Sequence, residues 1–339
     1  FVYSPDEKYI ASDSYDDTIK IWDVKTGKCL KTLEKYDGCN IHSFDGKHLV
    51  STGKEPLAKI WDVETGECIN IIDGNFNMHR VKCSPDGKYL AMDVWDGTIK
   101  LWEVKNGECI EKTLSGHTGY INNIIYSPDG KYLISCSCDS TIKFWELGSG
   151  KCMKTLTGHK DNVYFVVYSP SGAYLTSMSW DRTAKLWDVK TGKCMQTLNI
   201  GDYNGNGWDI LYSPNEKYLA TFSLGGNAID LWNVKTGKHI NTLHMNTLNI
   251  DVMYSPDEKY ITTISDSSIT KFWNASTGEL LSTTFNLKDG EWLTYTPEGF
   301  FAGSEWATKN LVHIVDGMKT VGIDQLYDSL YRPDLVSAK

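Results

Sequence analysis

The sequence predicts an all-β protein assembled from repeated four-stranded antiparallel sheets, and three observations predict it. A tryptophan recurs at positions 22, 61, 102, 145, 187, 232 and 273, at successive intervals of 39, 41, 43, 42, 45 and 41 residues. A Ser-Pro turn precedes six of them, at Pro5, Pro85, Pro128, Pro170, Pro214 and Pro256; the Pro-to-Trp distance is 17 in five cases and 18 in the sixth. In the second repeat Phe44 of Ser-Phe-Asp-Gly-Lys takes the place of the proline. The residues between these landmarks are short runs of β-formers broken by Gly, Asp, Asn and Ser. A period near 42 kept over seven copies is an internal repeat, and it overrides the two-domain count that 339 residues would otherwise suggest.

The fourth repeat shows how each element follows from its residues. Tyr120 to Tyr126 alternates roughly with period two, and Ser-Pro-Asp-Gly then makes a tight turn. Lys131 to Ser137 is a second strand rich in β-formers. Asp139-Ser140 turns the chain into a third strand, Thr141 to Leu147. Gly148-Ser-Gly150 turns it again into a fourth and outermost strand, Cys152 to Leu156. One such sheet cannot bury both faces alone, so successive sheets must stack face to face around an axis. The expected architecture is a β-propeller with seven clear blades.

The fourth and fifth repeats carry the fullest motif. It reads Gly116-His117, Asp139 and Trp145-Glu146 in one, and Gly158-His159, Asp181 and Trp187-Asp188 in the other. In both, His precedes Asp by 22 residues and Asp precedes Trp by six. These residues resemble the WD-repeat family, over nearly the whole chain to about residue 285. The resemblance implies that His117, Asp139, Trp145, His159, Asp181 and Trp187 form, with a strand Ser or Thr, a structural hydrogen-bonded network that stiffens each blade. Repeats one and three keep Asp16 and Asp96 but lack the histidine, and repeats two, six and seven place Glu55, Gly226 and Ser267 where Asp would stand. Blades four and five are therefore expected to be the stiffest.

Residues 286–339 follow the seventh unit, so the expected division is 1–285 for seven blades and 286–339 for the remainder. Trp292 to Ser304 repeats the strand-turn-strand pattern, and Pro297 lies 41 residues after Pro256. Asn310 to Val315 reads as a further strand with Ile314 in the Trp position, Met318 to Ile323 as a fourth, and Asp324 to Tyr331 as a short helix capped by Asp and stopped before Pro333. Two arrangements satisfy this pattern: a degenerate eighth blade, or a C-terminal cap packed outside seven. The stretch from Tyr295-Thr-Pro-Glu-Gly-Phe-Phe301 to the segment at Asp324–Leu335 also resembles the post-propeller segment of bacterial proteins that carry a caspase-like domain. That likeness implies a sensor or regulatory half of a larger effector. The start inside a repeat, at Phe1, likewise fits a piece of a longer polypeptide.

Composition narrows the function classes. A formal net charge of −9 argues against broad phosphate neutralisation, so no nucleic-acid partner is expected. No apolar run reaches the length of a membrane span, so no membrane partner is expected either. Five of the nine cysteines, Cys29, Cys68, Cys109, Cys152 and Cys194, each fall seven residues after a motif Trp. One per unit at matching places, they are too far apart to bridge, and no CxxC pair occurs. They read as reduced thiols of a cytoplasmic protein. No metal site and no cofactor are expected. No GxSxG, HExxH or P-loop occurs, so the chain is not read as an enzyme. The Gly-rich run Gly201 to Gly207 lacks a calcium-loop pattern and reads as a loop between blades.

Function is expected on the face that carries the turns between the middle strands and the loops entering each innermost strand. Just before the turn aspartate stand Tyr15, Trp95, Cys138 and Trp180, and near the start of innermost strands stand His79, Tyr120, Tyr164 and Trp208. Large aromatics concentrate where the core does not need them, and such residues dominate binding hot spots. The candidate partner-binding set is Tyr15, His79, Trp95, Tyr120, Tyr164, Trp180 and Trp208, for a protein or peptide. Nearby Asp13, Asp16, Asp93 and Asp96 suggest some positive charge on that partner, although Asp is also the preferred turn former.

Overall fold

The computed structural model describes residues 2–4, 8–14, 16, 18–34, 40–44, 47–52, 57–73, 81–86, 88–94, 96–105, 108–201, 208–223, 228–245, 249–265, 268–305, 307–308, 313–316 and 319–322. The chain divides into two compact units: residues 1–168 with 172–195, and residues 169–171 with 196–339.

Each four-stranded sheet is antiparallel and runs in chain order. The fourth sheet consists of Ile121–Tyr126, Tyr132–Ser137, Ile142–Glu146 and Cys152–Leu156, and the fifth of Val163–Tyr168, Tyr174–Ser179, Thr183–Asp188 and Cys194–Asn199. The turn between the first two strands of the fourth sheet is closed by Ser127 Oγ, which bonds the Asp129 carboxylate at 2.6 Å and accepts Tyr132 N–H at 3.0 Å. The same serine device recurs at Ser84 and Ser255.

The core lies between sheets, not within them. In the second to fifth sheets each motif tryptophan packs into the gap in front of its own sheet, against the sheet that precedes it. Trp61 joins Ala11, Ile19, Ile21 and Leu33, Trp102 joins Val50, Ala58, Ile60 and Ile72, Trp145 joins Ala91, Ile99, Leu101 and Leu114, and Trp187 joins Ile134, Ile142, Phe144 and Leu156. A strand's alternation supplies one such face to each neighbour, which is why the middle strands are buried on both sides.

In the second unit the sixth sheet holds Trp208–Tyr212, Tyr218–Ser223, Ala228–Asn233 and His239–His244. The seventh begins with Asn249–Tyr254, Tyr260–Ser265, Ile269–Asn274 and Leu280–Asn286, and Trp273 packs against Ala220, Phe222, Ile229 and Leu231 of the sixth. The seventh sheet is six-stranded: Trp292–Tyr295 pairs with the outer edge of Leu280–Asn286, and Phe301–Gly303 pairs with Trp292–Tyr295. Residue 285 thus lies inside a strand. A separate hairpin, His313–Asp316 with Lys319–Gly322, follows. The helix expected over Asp324 to Tyr331 lies outside the described residues.

Among the described residues, no helix is long and apolar enough to cross a membrane, and no three His, Cys, Asp or Glu side chains converge to hold a metal ion. Among the described residues, Cys29, Cys68, Cys83, Cys136, Cys138, Cys152 and Cys194 are thiols outside any disulfide. Four of the repeat-frame thiols, Cys29, Cys68, Cys152 and Cys194, are exposed on outermost strands, whereas Cys136 is buried. With a thiol-reactive disulfide reagent those four are expected to react in the native state, and Cys136 only after unfolding. Partial burial raises the Cys68 thiol pKa. Fast reaction of Cys136 would contradict this placement.

Candidate functional site

Two identical hydrogen-bonded chains organise the face at blades four and five. In blade four, Trp145 Nε1–H donates to Ser135 Oγ at 2.8 Å, Ser135 Oγ lies 2.7 Å from His117 Nε2, and His117 Nδ1 lies 2.7 Å from Asp139 Oδ2. In blade five the corresponding distances are 2.8 Å from Trp187 to Ser177, 2.8 Å from Ser177 to His159 and 2.9 Å from His159 to Asp181. The donors and acceptors fix one arrangement with a neutral imidazole: indole N–H to serine, serine O–H to Nε2, Nδ1–H to carboxylate. Each aspartate then closes its own turn, with Asp139 accepting Thr118 N–H and Thr141 N–H at 3.0 Å each, and Asp181 accepting Lys160 N–H at 2.9 Å and Thr183 N–H at 3.0 Å.

The glycine before each histidine has a geometric reason. Gly116 and Gly158 adopt φ of 157° and 138°, and a Cβ on either would meet the ring of Trp145 at 3.2 Å or Trp187 at 3.6 Å. The backbone is laid across the indole, and only glycine does this without strain.

Electrostatics follow from this packing. Burial alone would raise the Asp139 and Asp181 pKa values, but the hydrogen bonds they accept outweigh it. Asp139 is held well below the usual carboxylate range by His117, Thr141 and Thr118. Asp181 is lowered to about 2 by Thr183, Lys160 and His159. Burial lowers the His159 pKa against the pull of Asp181, which keeps the ring neutral.

Ser, His and Asp linked in this order share the connectivity of a hydrolytic triad. Catalysis would need a serine that a substrate can reach. Ser135 and Ser177 are 0% exposed, and each Oγ already receives an indole N–H. Neither hydroxyl is open to a substrate. In the other repeats the indole keeps a hydroxyl acceptor at Ser12, Ser51, Thr221 and Thr263, at 2.9, 2.8, 2.9 and 3.0 Å. In the third repeat Met92 stands at that position. In the seventh, Met245 occupies the histidine position, and its sulfur accepts Thr263 O–H at 3.3 Å.

Tyr120 immediately precedes the first strand of the fourth sheet, and Trp180 immediately follows the second strand of the fifth. Tyr120 is 57% exposed and Trp180 is 65% exposed. Their backbones are fixed from below: Cys138 N–H donates to Tyr120 O at 2.8 Å, and Trp180 N–H to Asn162 O at 3.0 Å. Asn122 joins the two blades, since its Nδ2–H donates to Val163 O at 2.9 Å while its amide faces the Cys138 thiol. Tyr164, the counterpart of Asn122, is half-buried with its hydroxyl out of solvent, and burial pushes its pKa well up. Trp208 opens the innermost strand of the sixth sheet, its backbone paired with Ser223. Tyr15, His79 and Trp95 lie outside the described residues.

The acidic residues of the neighbouring turns have local partners. Asp16 Oδ1 accepts Thr18 N–H at 3.1 Å and O–H at 2.6 Å, and Asp96 does the same with Thr98 at 2.9 and 2.6 Å. The Thr hydroxyl two residues after the turn Asp was missed in the sequence, although Asp-x-Thr recurs at 16, 96, 139 and 181. Those carboxylates shape turns. Also missed was a cluster in the sixth sheet, where Asp230 replaces the usual Lys of the Ile-Lys-x-Trp motif. Asp230 Oδ1 lies 3.0 Å from His239 Nε2 and accepts Thr242 O–H at 2.5 Å.

Comparisons with known families agree with this architecture. A family model described as the IFT122 first beta-propeller matches residues 77–321. A second, described as WD domain, G-beta repeat, matches residues 1–23 and ends on Trp22-Asp23. No curated protein matches the sequence significantly. The first match spans well over half of the chain, from the third repeat through the seventh sheet's added strands to the hairpin after them. With the repeated sheets and the Trp–Ser–His–Asp chains, it establishes that this protein belongs to the family of WD-repeat β-propellers.

Proposed function

We propose that this chain is a non-catalytic interaction module that holds a segment of a partner protein on the face carrying Tyr120 and Trp180. Propellers of the WD-repeat family generally mediate protein–protein interaction and are typically not enzymes. The observation that carries the finer reading is the exposure of Trp180 at 65% on a turn whose backbone is already fixed. A large ring held ready in water contributes contact area on binding at little ordering cost. Tyr120 presents a second ring on the adjoining blade. The buried triads below supply rigidity and no reachable nucleophile.

The test is affinity capture from the native host with the intact chain and with a Trp180→Ala, Tyr120→Ala double variant, followed by titration of any partner recovered. Loss of Trp180 alone is expected to weaken binding by about 2 kcal/mol, roughly 30-fold, without changing the melting curve. Recovery of the same proteins at the same affinity by both baits would sink this reading.

A further inference from the structure

The outermost strands share a pattern that the motif residues do not explain. Each carries one buried aliphatic side chain near its end: Leu33, Ile72, Leu114, Leu156, Leu198 and Leu243. Two places before it stand Lys31, Asn70, Lys112, Lys154, Gln196 and Asn241. All six side chains end in a nitrogen that donates hydrogen bonds. Residues two apart on a strand share a face, so this nitrogen lies on the same side as the buried aliphatic residue.

The nitrogens reach the outer turn of the following sheet, and each pair lies within one compact unit. Lys31 donates to Glu64 O, and Lys112 to Gly148 O at 3.0 Å. Lys154 donates to Val189 O at 2.6 Å and to Lys190 O at 3.1 Å. Gln196 donates to Lys235 O at 3.2 Å, and Asn241 to Thr277 O at 3.1 Å and Gly278 O at 3.2 Å. Lys154 follows its motif tryptophan by nine residues and Lys112 by ten. The contact therefore tracks the buried aliphatic residue and not the count from tryptophan. The turns are shaped to receive these side chains. At Gly192 a Cβ would meet Lys154 Cδ at 3.1 Å and Leu156 Cδ2 at 3.2 Å, and at Gly278 it would meet Asn241 Cβ at 2.7 Å and Leu243 Cδ2 at 3.1 Å. Both glycines have φ of 71°.

We infer that Lys154 and its counterparts are clasps that set how readily the gap between successive sheets opens. Lys154 shows why. Its ammonium also lies 5.5 Å from the centre of the Phe144 ring, and Phe144 belongs to the cluster with Leu156, Trp187 and Cys136. The third strand of the fifth sheet is thus fixed at both ends: Asp181 closes the turn before it, and Lys154 holds the turn after it from the neighbouring sheet. The Trp–Ser–His–Asp chains stiffen a sheet internally, whereas the clasps act between sheets.

Cys136, fully buried in that cluster, reports opening of the gap. Its alkylation by iodoacetamide under native conditions is followed by mass spectrometry, with circular dichroism to check the fold of each variant. Lys154→Met keeps the stem and removes the donor, and is expected to speed modification of Cys136 at least tenfold. Lys154→Gln supplies the side chain that reaches the turn at Gln196, and should stay within about threefold of the wild type. Lys160→Met, at an exposed lysine of the fifth repeat, should change nothing. Asn241→Ala tests the same rule in the second unit, where hydrogen exchange at the amides of residues 277–279 should rise at least tenfold. An unchanged Cys136 rate in Lys154→Met, an equal rise in Lys160→Met or Lys154→Gln, or unchanged exchange in Asn241→Ala would overturn the inference.

Discussion

Trp187→Ala is expected to destabilise its unit by about 3–5 kcal/mol, whereas Trp180→Ala, seven residues earlier, should change stability by less than about 0.5 kcal/mol. Both remove an indole from the same blade. The Trp187 ring is 2% exposed, packs among Ile134, Ile142, Phe144 and Leu156 of the preceding sheet, and underlies the Gly158 backbone. Its loss leaves a cavity between sheets, and Ser177 keeps one hydrogen-bond partner fewer. Trp180 stands in water. The contrast is measured by denaturant titration followed by circular dichroism, with hydrogen exchange at Thr183–Asp188 to localise the effect. Similar losses for the two variants would mean that Trp180 is part of the core and not of a recognition surface.

Asp181→Ala is the second large effect, at about 2–4 kcal/mol. It strands His159 Nδ1–H, Lys160 N–H and Thr183 N–H, which all converge on that carboxylate. The acid limb of the stability profile has a defined sign. The folded Asp181 pKa, about 2, lies below the ordinary value of 3.8, so its contribution is complete above about pH 4 and is lost as pH falls toward 2. Asp139 is depressed in the same direction. His159 is held neutral, with a folded pKa below its ordinary 6.5. Its protonation therefore favours the unfolded chain as pH drops through that value. Asp181→Asn should flatten the fall between pH 4 and pH 2 while keeping part of the turn. An unchanged acid limb in Asp181→Asn would show that the network does not govern stability there. Slow exchange at blades four and five in the wild type, relative to the repeats without histidine, is the matching native-state signature.

Much of this was legible because the repeat writes the same instruction several times. Strand ends in the fourth blade differ from the sequence reading by a residue or so, since hydrophobic alternation and turn residues agree there: Lys131 to Ser137 was read, and Tyr132–Ser137 is found. The Gly-His, Asp and Trp positions stood out through spacing alone. What spacing does not carry is depth. Tyr164 and Trp180 look equally surplus in the sequence, yet Tyr164 is half-buried with its hydroxyl out of solvent and Trp180 is exposed. Nor does it carry pairing across repeats: nothing in Trp292-Leu-Thr-Tyr295 says whether it opens a new sheet or extends the last one, because both use the same alternation.

The placement of Trp61, Trp102, Trp145 and Trp187 against the preceding sheets has a consequence for how such a chain can grow. Each of these repeats carries a plug for the sheet before it, and each of the first four sheets offers a socket to the one after. A tandem duplication of one repeat therefore arrives with both halves of a joint and needs no compensating change elsewhere. A substitution in one repeat, by contrast, spoils a joint that belongs to two. Copy number is cheap to alter and single anchors are not, which favours duplication over redesign as the route to new arrays and leaves edges and turn tips as the places where copies diverge.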